Sequence, residues 1–121
     1  MREVAIVSAV RTAIGKGNRG SLKDTRPDDM LGLVLKEAVH RGGIDPANID
    51  DIIIGNAAPE AEQGMNIARV GAFLADIPDT VPALTINRFC SSGLQSLGQG
   101  AASIIAGWQD VVLTGGVESM S

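Results

Sequence analysis

Tyrosine is absent from this chain, and one tryptophan with two phenylalanines makes up the whole aromatic content, 2% of 121 residues. An interior without large rings has to be filled by aliphatic and small side chains. Fifteen glycines supply part of that filling, so tightly layered elements are expected rather than an aromatic core. Cysteine occurs once, which excludes an internal disulfide and any multi-cysteine metal site. Basic residues are outnumbered, 10 against 14 acidic ones, for a net charge of −4. A phosphate backbone needs a basic face, so nucleic acid is not an expected partner. An electrostatic membrane anchor is disfavoured for the same reason. No apolar run approaches the length of a membrane span, and the apolar stretch after Met1 is too short for a signal peptide. The expected setting is a reducing compartment, the cytoplasm.

The length suits one domain with a real core, and 45% hydrophobic against 20% charged residues is ordinary globular composition. Strand-like and helix-like stretches alternate. Val4 to Ala9 is β-branched and apolar and reads as a strand buried on both faces. A polar, glycine-rich loop follows from Arg11 to Asp24. Pro27, Asp28 and Asp29 then open a helix, whose apolar face is Leu31, Val34, Leu35 and Ala38 and whose stop is Gly42-Gly43. Ile52-Ile53-Ile54 is a second strand. Ile67, Val70, Gly71 and Leu74 mark a second helix, and Ala83 to Ile86 a third strand. A long helix is expected from about Ser91 to Ala106, with Leu94, Leu97, Ala101 and Ile105 on one side. Asp110 to Thr114 is the fourth strand.

Strands separated by helices imply right-handed βαβ units, hence an α/β fold with a mostly parallel sheet and helices on its faces. Chemistry in such sheets sits beyond the carboxyl ends of the strands. Three places qualify: the loop after Ala9, the segment after Ile54, and Asn87-Arg88-Phe89-Cys90. At the last, Cys90 stands between a strand end and a helix start, where unpaired N–H groups and the helix dipole favour an anion. Thiolate is the reactive form of cysteine, and helix N-termini are among the settings that lower thiol pKa. The same N–H groups, that of Cys90 included, would serve as oxyanion donors. Ser91, Ser92 and Gly93 keep the corner small.

Taken alone, a single cysteine is more often inert core. Ser91 and Ser92 are weaker nucleophile candidates, because no G-x-S-x-G surrounds them. Gly98-Gln99-Gly100 lies inside a helix and is no dinucleotide fingerprint. His40, the only histidine, falls at a helix end, where an imidazolium simply suits the dipole. Arg11, Lys16, Arg19, Lys23 and Arg26 form either a solvated surface or a contact for phosphate or a partner. Gly115-Gly116 allows a tight turn or close packing. Glu118 either orients a loop by hydrogen bonding or is merely exposed.

Asn87-Arg88-Phe89-Cys90-Ser91-Ser92-Gly93-Leu94-Gln95 resembles the active-site segment of thiolases, the acetyl-CoA acetyltransferases and 3-ketoacyl-CoA thiolases. Arg11 to Lys16, Gln63 to Arg69 and Gly115 to Ser121 resemble further segments of that family, in the same order. The resemblance covers essentially the whole chain. It implies a sheet of strand order 3-2-1-4 with helices on both faces, incomplete. Residues 1–121 would then be the first part of a thiolase N-terminal domain, with loop domain and C-terminal domain absent. It also implies that Cys90 accepts the acyl group, then releases it to coenzyme A or a second acyl-CoA, cleaving 3-ketoacyl-CoA or condensing two acetyl-CoA. Coenzyme A thioesters would be substrates, with no tightly bound cofactor and no metal. The activating histidine and second cysteine of the family belong to its later half, so this stretch alone is expected to be inactive. Homodimers or homotetramers are expected, with Ala83 to Ile86 at a sheet edge. Two other readings remain at this stage: a related condensing enzyme of the ketoacyl synthase type, and a non-catalytic assembly fragment.

Overall fold

Three consecutive isoleucines set the centre of the molecule. In the computed structural model, which describes residues 1–121, they form most of β1, Asp51–Gly55. β2, Ala83–Ile86, and β3, Val112–Gly116, lie parallel on either side of it, giving the order β2-β1-β3. Ile53 sits opposite Leu84 on one side and Thr114 on the other. A strand paired on both edges and covered on both faces has no wet side, which is why this run is continuous rather than alternating.

The two faces are packed differently. Ile52 and Ile54 point into the main cluster with Leu31, Leu35, Ile67, Ala68 and Ala72, which come from α1, Pro27–Gly42, and α2, Ile67–Leu74. Ile53 and Gly55 face the other way, toward α3, Ser92–Ile105. Helices therefore cover both faces, as expected. α1 begins at Pro27 with Asp28 and Asp29 in its first turn and ends at Gly43, whose φ of 63° supplies the left-handed cap. The Arg26 guanidinium hydrogen-bonds the Asp28 carboxylate at 2.8 and 3.0 Å and holds its pKa below the ordinary carboxylate value. Asp50 is lowered too, because its carboxylate accepts the Asp110 and Val111 N–H groups at 2.7 and 3.0 Å. Those bonds fix the entry to β3 beside β1.

Two expectations are corrected. Val4 to Ala9 forms no strand, and Val4, Ile6 and Val7 are exposed. β1 carries β2 on one edge and β3 on the other, and Val4 to Ala9 joins neither outer edge of the sheet. A strand needs a ladder as well as an apolar sequence. The expected third, second and fourth strands keep their relative order across the sheet. The second correction concerns α3. Its apolar residues Leu94, Leu97 and Ile105 are exposed, and it buries Ser92, Ser96 and Gly100 instead. A Cβ on Gly100 would lie 2.7 Å from Thr114 Cγ2. Helix and sheet approach so closely that only small residues fit between them.

Candidate active site

β2 ends at Ile86 and α3 starts at Ser92, so five residues turn the chain from sheet to helix. Short hydrogen bonds hold that turn. The Arg88 N–H donates to Ser92 Oγ at 2.8 Å, and the Ser92 hydroxyl donates to the Phe89 carbonyl at 2.6 Å. The Ser91 hydroxyl reaches the Arg88 carbonyl at 3.1 Å. The Ser91 and Ser92 N–H groups donate to the Arg88 and Phe89 carbonyls at 3.2 and 3.1 Å. The Phe89 N–H donates to Asn87 Oδ1 at 2.8 Å. These bonds use the N–H groups on both sides of Cys90 but not its own. Phe89 has φ 47°, a left-handed conformation that costs a bulky residue about 1–3 kcal/mol and persists only where the surroundings over-determine it. The result is an exposed thiol at the apex of a strained strand-to-helix corner.

Glycines bring the corner down onto the sheet. A Cβ on Gly55 would lie 2.3 Å from the Ser92 carbonyl carbon and 2.5 Å from the Gly93 nitrogen. One on Gly116 would lie 3.3 Å from Gly93 Cα. The Ser96 hydroxyl then ties α3 to the Gly115 carbonyl at 2.8 Å. Of the two possibilities for Gly115-Gly116, close packing is the one observed.

Two of the three expected places come together here. The segment after β1 meets the Asn87 corner through a bond from Asn87 Nδ2 to the Ala57 carbonyl at 3.2 Å. The loop after Ala9 goes elsewhere and touches the chain end, with the Asn18 N–H donating to Ser121 Oγ at 3.0 Å. The basic residues do not converge. Lys23 pairs with Asp24, Arg26 pairs with Asp28 and Glu62, and Arg11 hydrogen-bonds its neighbour's carbonyl. His40 stands on α1, on the face of the sheet opposite α3, with its imidazole 82% exposed. It plays no part at Cys90.

The structure adds a polar knot that the sequence reading largely missed. Asn56 is fully buried and donates from Nδ2 to the Val117 carbonyl at 2.8 Å and to Gln63 Oε1 at 3.2 Å. Gln63 Oε1 also accepts the Ser119 N–H at 2.6 Å. Glu118 accepts the Ala57 and Ala58 N–H groups at 2.8 and 3.0 Å, so it orients a loop rather than merely facing solvent. The available signal was an amide directly after a fully buried strand, where an unpaired polar group is costly.

Comparison with known proteins gives the family. The family model described as "Thiolase, N-terminal domain" matches residues 4–121. A 3-ketoacyl-CoA thiolase of Bacillus subtilis (strain 168) is 53% identical over 121 residues, covering 100% of this chain and 31% of that protein. The peroxisomal 3-ketoacyl-CoA thiolase 5 of Arabidopsis thaliana is 50% identical over 120 residues, covering 98% and 26%. The crystal structure of the Bacillus anthracis acetyl-CoA acetyltransferase superposes with a TM-score of 0.87 at 43% identity, covering 95% of this chain and 29% of that one. The chain thus spans about a third or less of the length of these relatives. With the matched sequence and the matched fold together, the chain belongs to the thiolase family.

Proposed function

We propose that Cys90 is the nucleophile of acyl transfer from coenzyme A thioesters, in an enzyme that cleaves 3-ketoacyl-CoA or condenses two acetyl-CoA. The observation that carries this reading is the exposed thiol at the strained corner, with its own N–H left over by the surrounding hydrogen bonds. The Cys90 sulfur, its proton lost to water, attacks the 3-keto carbon, and the carbonyl oxygen takes up charge beside the Cys90 N–H. As the intermediate collapses the C2–C3 bond breaks, and its electron pair leaves with acetyl-CoA, which takes a proton from solvent. With acetyl-CoA as donor the C–S bond breaks instead, and coenzyme A leaves as the thiol. The acyl group then passes to coenzyme A or to a second acyl-CoA. No tightly bound cofactor or metal enters these steps.

The chain's one imidazole lies across the sheet from Cys90, so proton transfer at the thiol has no base from His40. The 121-residue chain is accordingly expected to form an acyl adduct slowly, with no turnover. Incubation with acetoacetyl-CoA followed by intact-mass and peptide mass spectrometry tests this. An acetyl group mapped to Cys90, and lost in Cys90→Ser, is the expected result. A thiol that iodoacetamide modifies readily but acetoacetyl-CoA never acylates would sink the claim that this corner acts by itself as an acyl acceptor.

Self-association belongs to the same proposal. β2 is an edge strand, and edges recruit partners. Light scattering at micromolar concentration should report a dimer or tetramer, and a clean monomer there overturns it.

A further inference from the structure

One peptide group beside the Cys90 corner is gripped at both ends. The Ala58 N–H donates to Glu118 Oε1 at 3.0 Å, and the Ala57 carbonyl of the same peptide accepts from Asn87 Nδ2 at 3.2 Å. The second Glu118 oxygen takes the Ala57 N–H at 2.8 Å. Beyond Asn87 the series continues, because its Oδ1 accepts the Phe89 N–H at 2.8 Å. A carboxylate is a stronger acceptor than an amide oxygen, and hydrogen bonds in series polarise one another. Charge on Glu118 therefore strengthens the Ala57 carbonyl as an acceptor and, through Asn87, the hold on Phe89.

Phe89 is where that hold matters. Its φ of 47° is unfavourable for its side chain and sets the direction in which Cys90 leaves the sheet. From the buried side Asn56 Nδ2, whose two hydrogens also serve the Val117 carbonyl and Gln63 Oε1, lies 3.3 Å from Glu118 Oε1. We propose that Glu118 is a positioning residue for Cys90, acting through the Ala57–Ala58 peptide and the Asn87 amide to hold the Phe89 turn. The proposal rests on reading Cys90 as the nucleophile. An amide at position 118 would keep the shape but put an NH₂ group against one of the two backbone N–H donors.

The test is amide hydrogen exchange at Phe89, together with the rate of Cys90 alkylation by iodoacetamide. Both are measured in the full 121-residue chain, in Glu118→Gln, in Asn87→Ala and in the double variant. Each single change should speed Phe89 exchange at least about tenfold and shift the alkylation rate in the same direction. Exchange in Ile52 to Ile54 should stay within about twofold of the parent chain. The double variant should be no worse than about twofold beyond the more affected single, because both changes cut one series. Independent, multiplying effects overturn the proposal, as does an unmoved Phe89 amide in Glu118→Gln. Equal acceleration throughout β1 also overturns it, since Glu118 would then hold the fold rather than the corner. None of these readings uses a thioester, so a failure of Cys90 to be acylated is scored separately from a failure of the series.

Discussion

Gly55→Ala should lower stability by about 3 kcal/mol or more and move the melting midpoint down by roughly 10 °C or more. The added methyl has nowhere to go. Its nearest neighbours would be the Ser92 carbonyl carbon at 2.3 Å and, at 2.5 Å, the Ser92 oxygen and the Gly93 nitrogen, all of them backbone. A side chain can rotate away from such a contact, whereas a helix start can yield only by lifting. Lifting it stretches the Ser96 bond to the Gly115 carbonyl and opens the corner that presents Cys90. Gly98→Ala on α3 is the matched control. Nothing lies within 4 Å of its added carbon, so only helix propensity acts, in the stabilising direction by up to about 1 kcal/mol. Thermal melts followed by circular dichroism measure both, with iodoacetamide alkylation of Cys90 as the second readout. A Gly55→Ala chain within about 1 kcal/mol of the parent would mean that α3 does not rest on β1 as closely as described.

That contact also shows why some of this molecule was legible in its sequence and some was not. The bounds of α1 follow from local chemistry: Pro27 and two acidic residues at one end, and a left-handed glycine at the other. β1 is legible because three β-branched isoleucines in a row, entered through the turn-prone Asp45 to Asn48, suit a short strand covered on both faces. The Cys90 corner follows from the same alternation, since a strand ending before Asn87 and a helix starting after Cys90 leave nowhere else for the thiol. Local pattern cannot name a partner, however. Val4 to Ala9 has the composition of a buried strand and lies exposed, because its neighbours in space are not written in its own residues. On α3 the apolar stripe suggested the wrong face. The sheet takes the stripe of Ser92, Ser96 and Gly100, for which closeness matters more than hydrophobicity. The Asn56 and Gln63 knot escaped for a related reason: residues 7 apart join residues some 60 positions later, and only the ends of β1 and β3 bring them together.

Truncating the neighbouring isoleucines one at a time separates the two faces of the sheet. Ile52→Ala and Ile53→Ala should each destabilise by about 2–5 kcal/mol, since both side chains are essentially inaccessible and a cavity adds to the lost transfer energy. Their consequences for Cys90 should differ. Ile52 lies with α1 and α2 in the main cluster, so its cavity opens on the face away from the thiol. Ile53 lies on the α3 face, flanked in register by Leu84 and Thr114, and Thr114 is the residue against which Gly100 of α3 packs. Loosening that support lets α3 rock on the sheet, and the corner at its N-terminus moves with it. With both variants held well below their melting temperatures, Ile53→Ala should change the iodoacetamide rate at Cys90 several-fold, while Ile52→Ala stays close to the parent chain at comparable loss of stability. Equal changes in the two would show that the faces are mechanically coupled through β1. Cys90 would then be held by the whole sheet rather than by α3 and the strand ends beneath it.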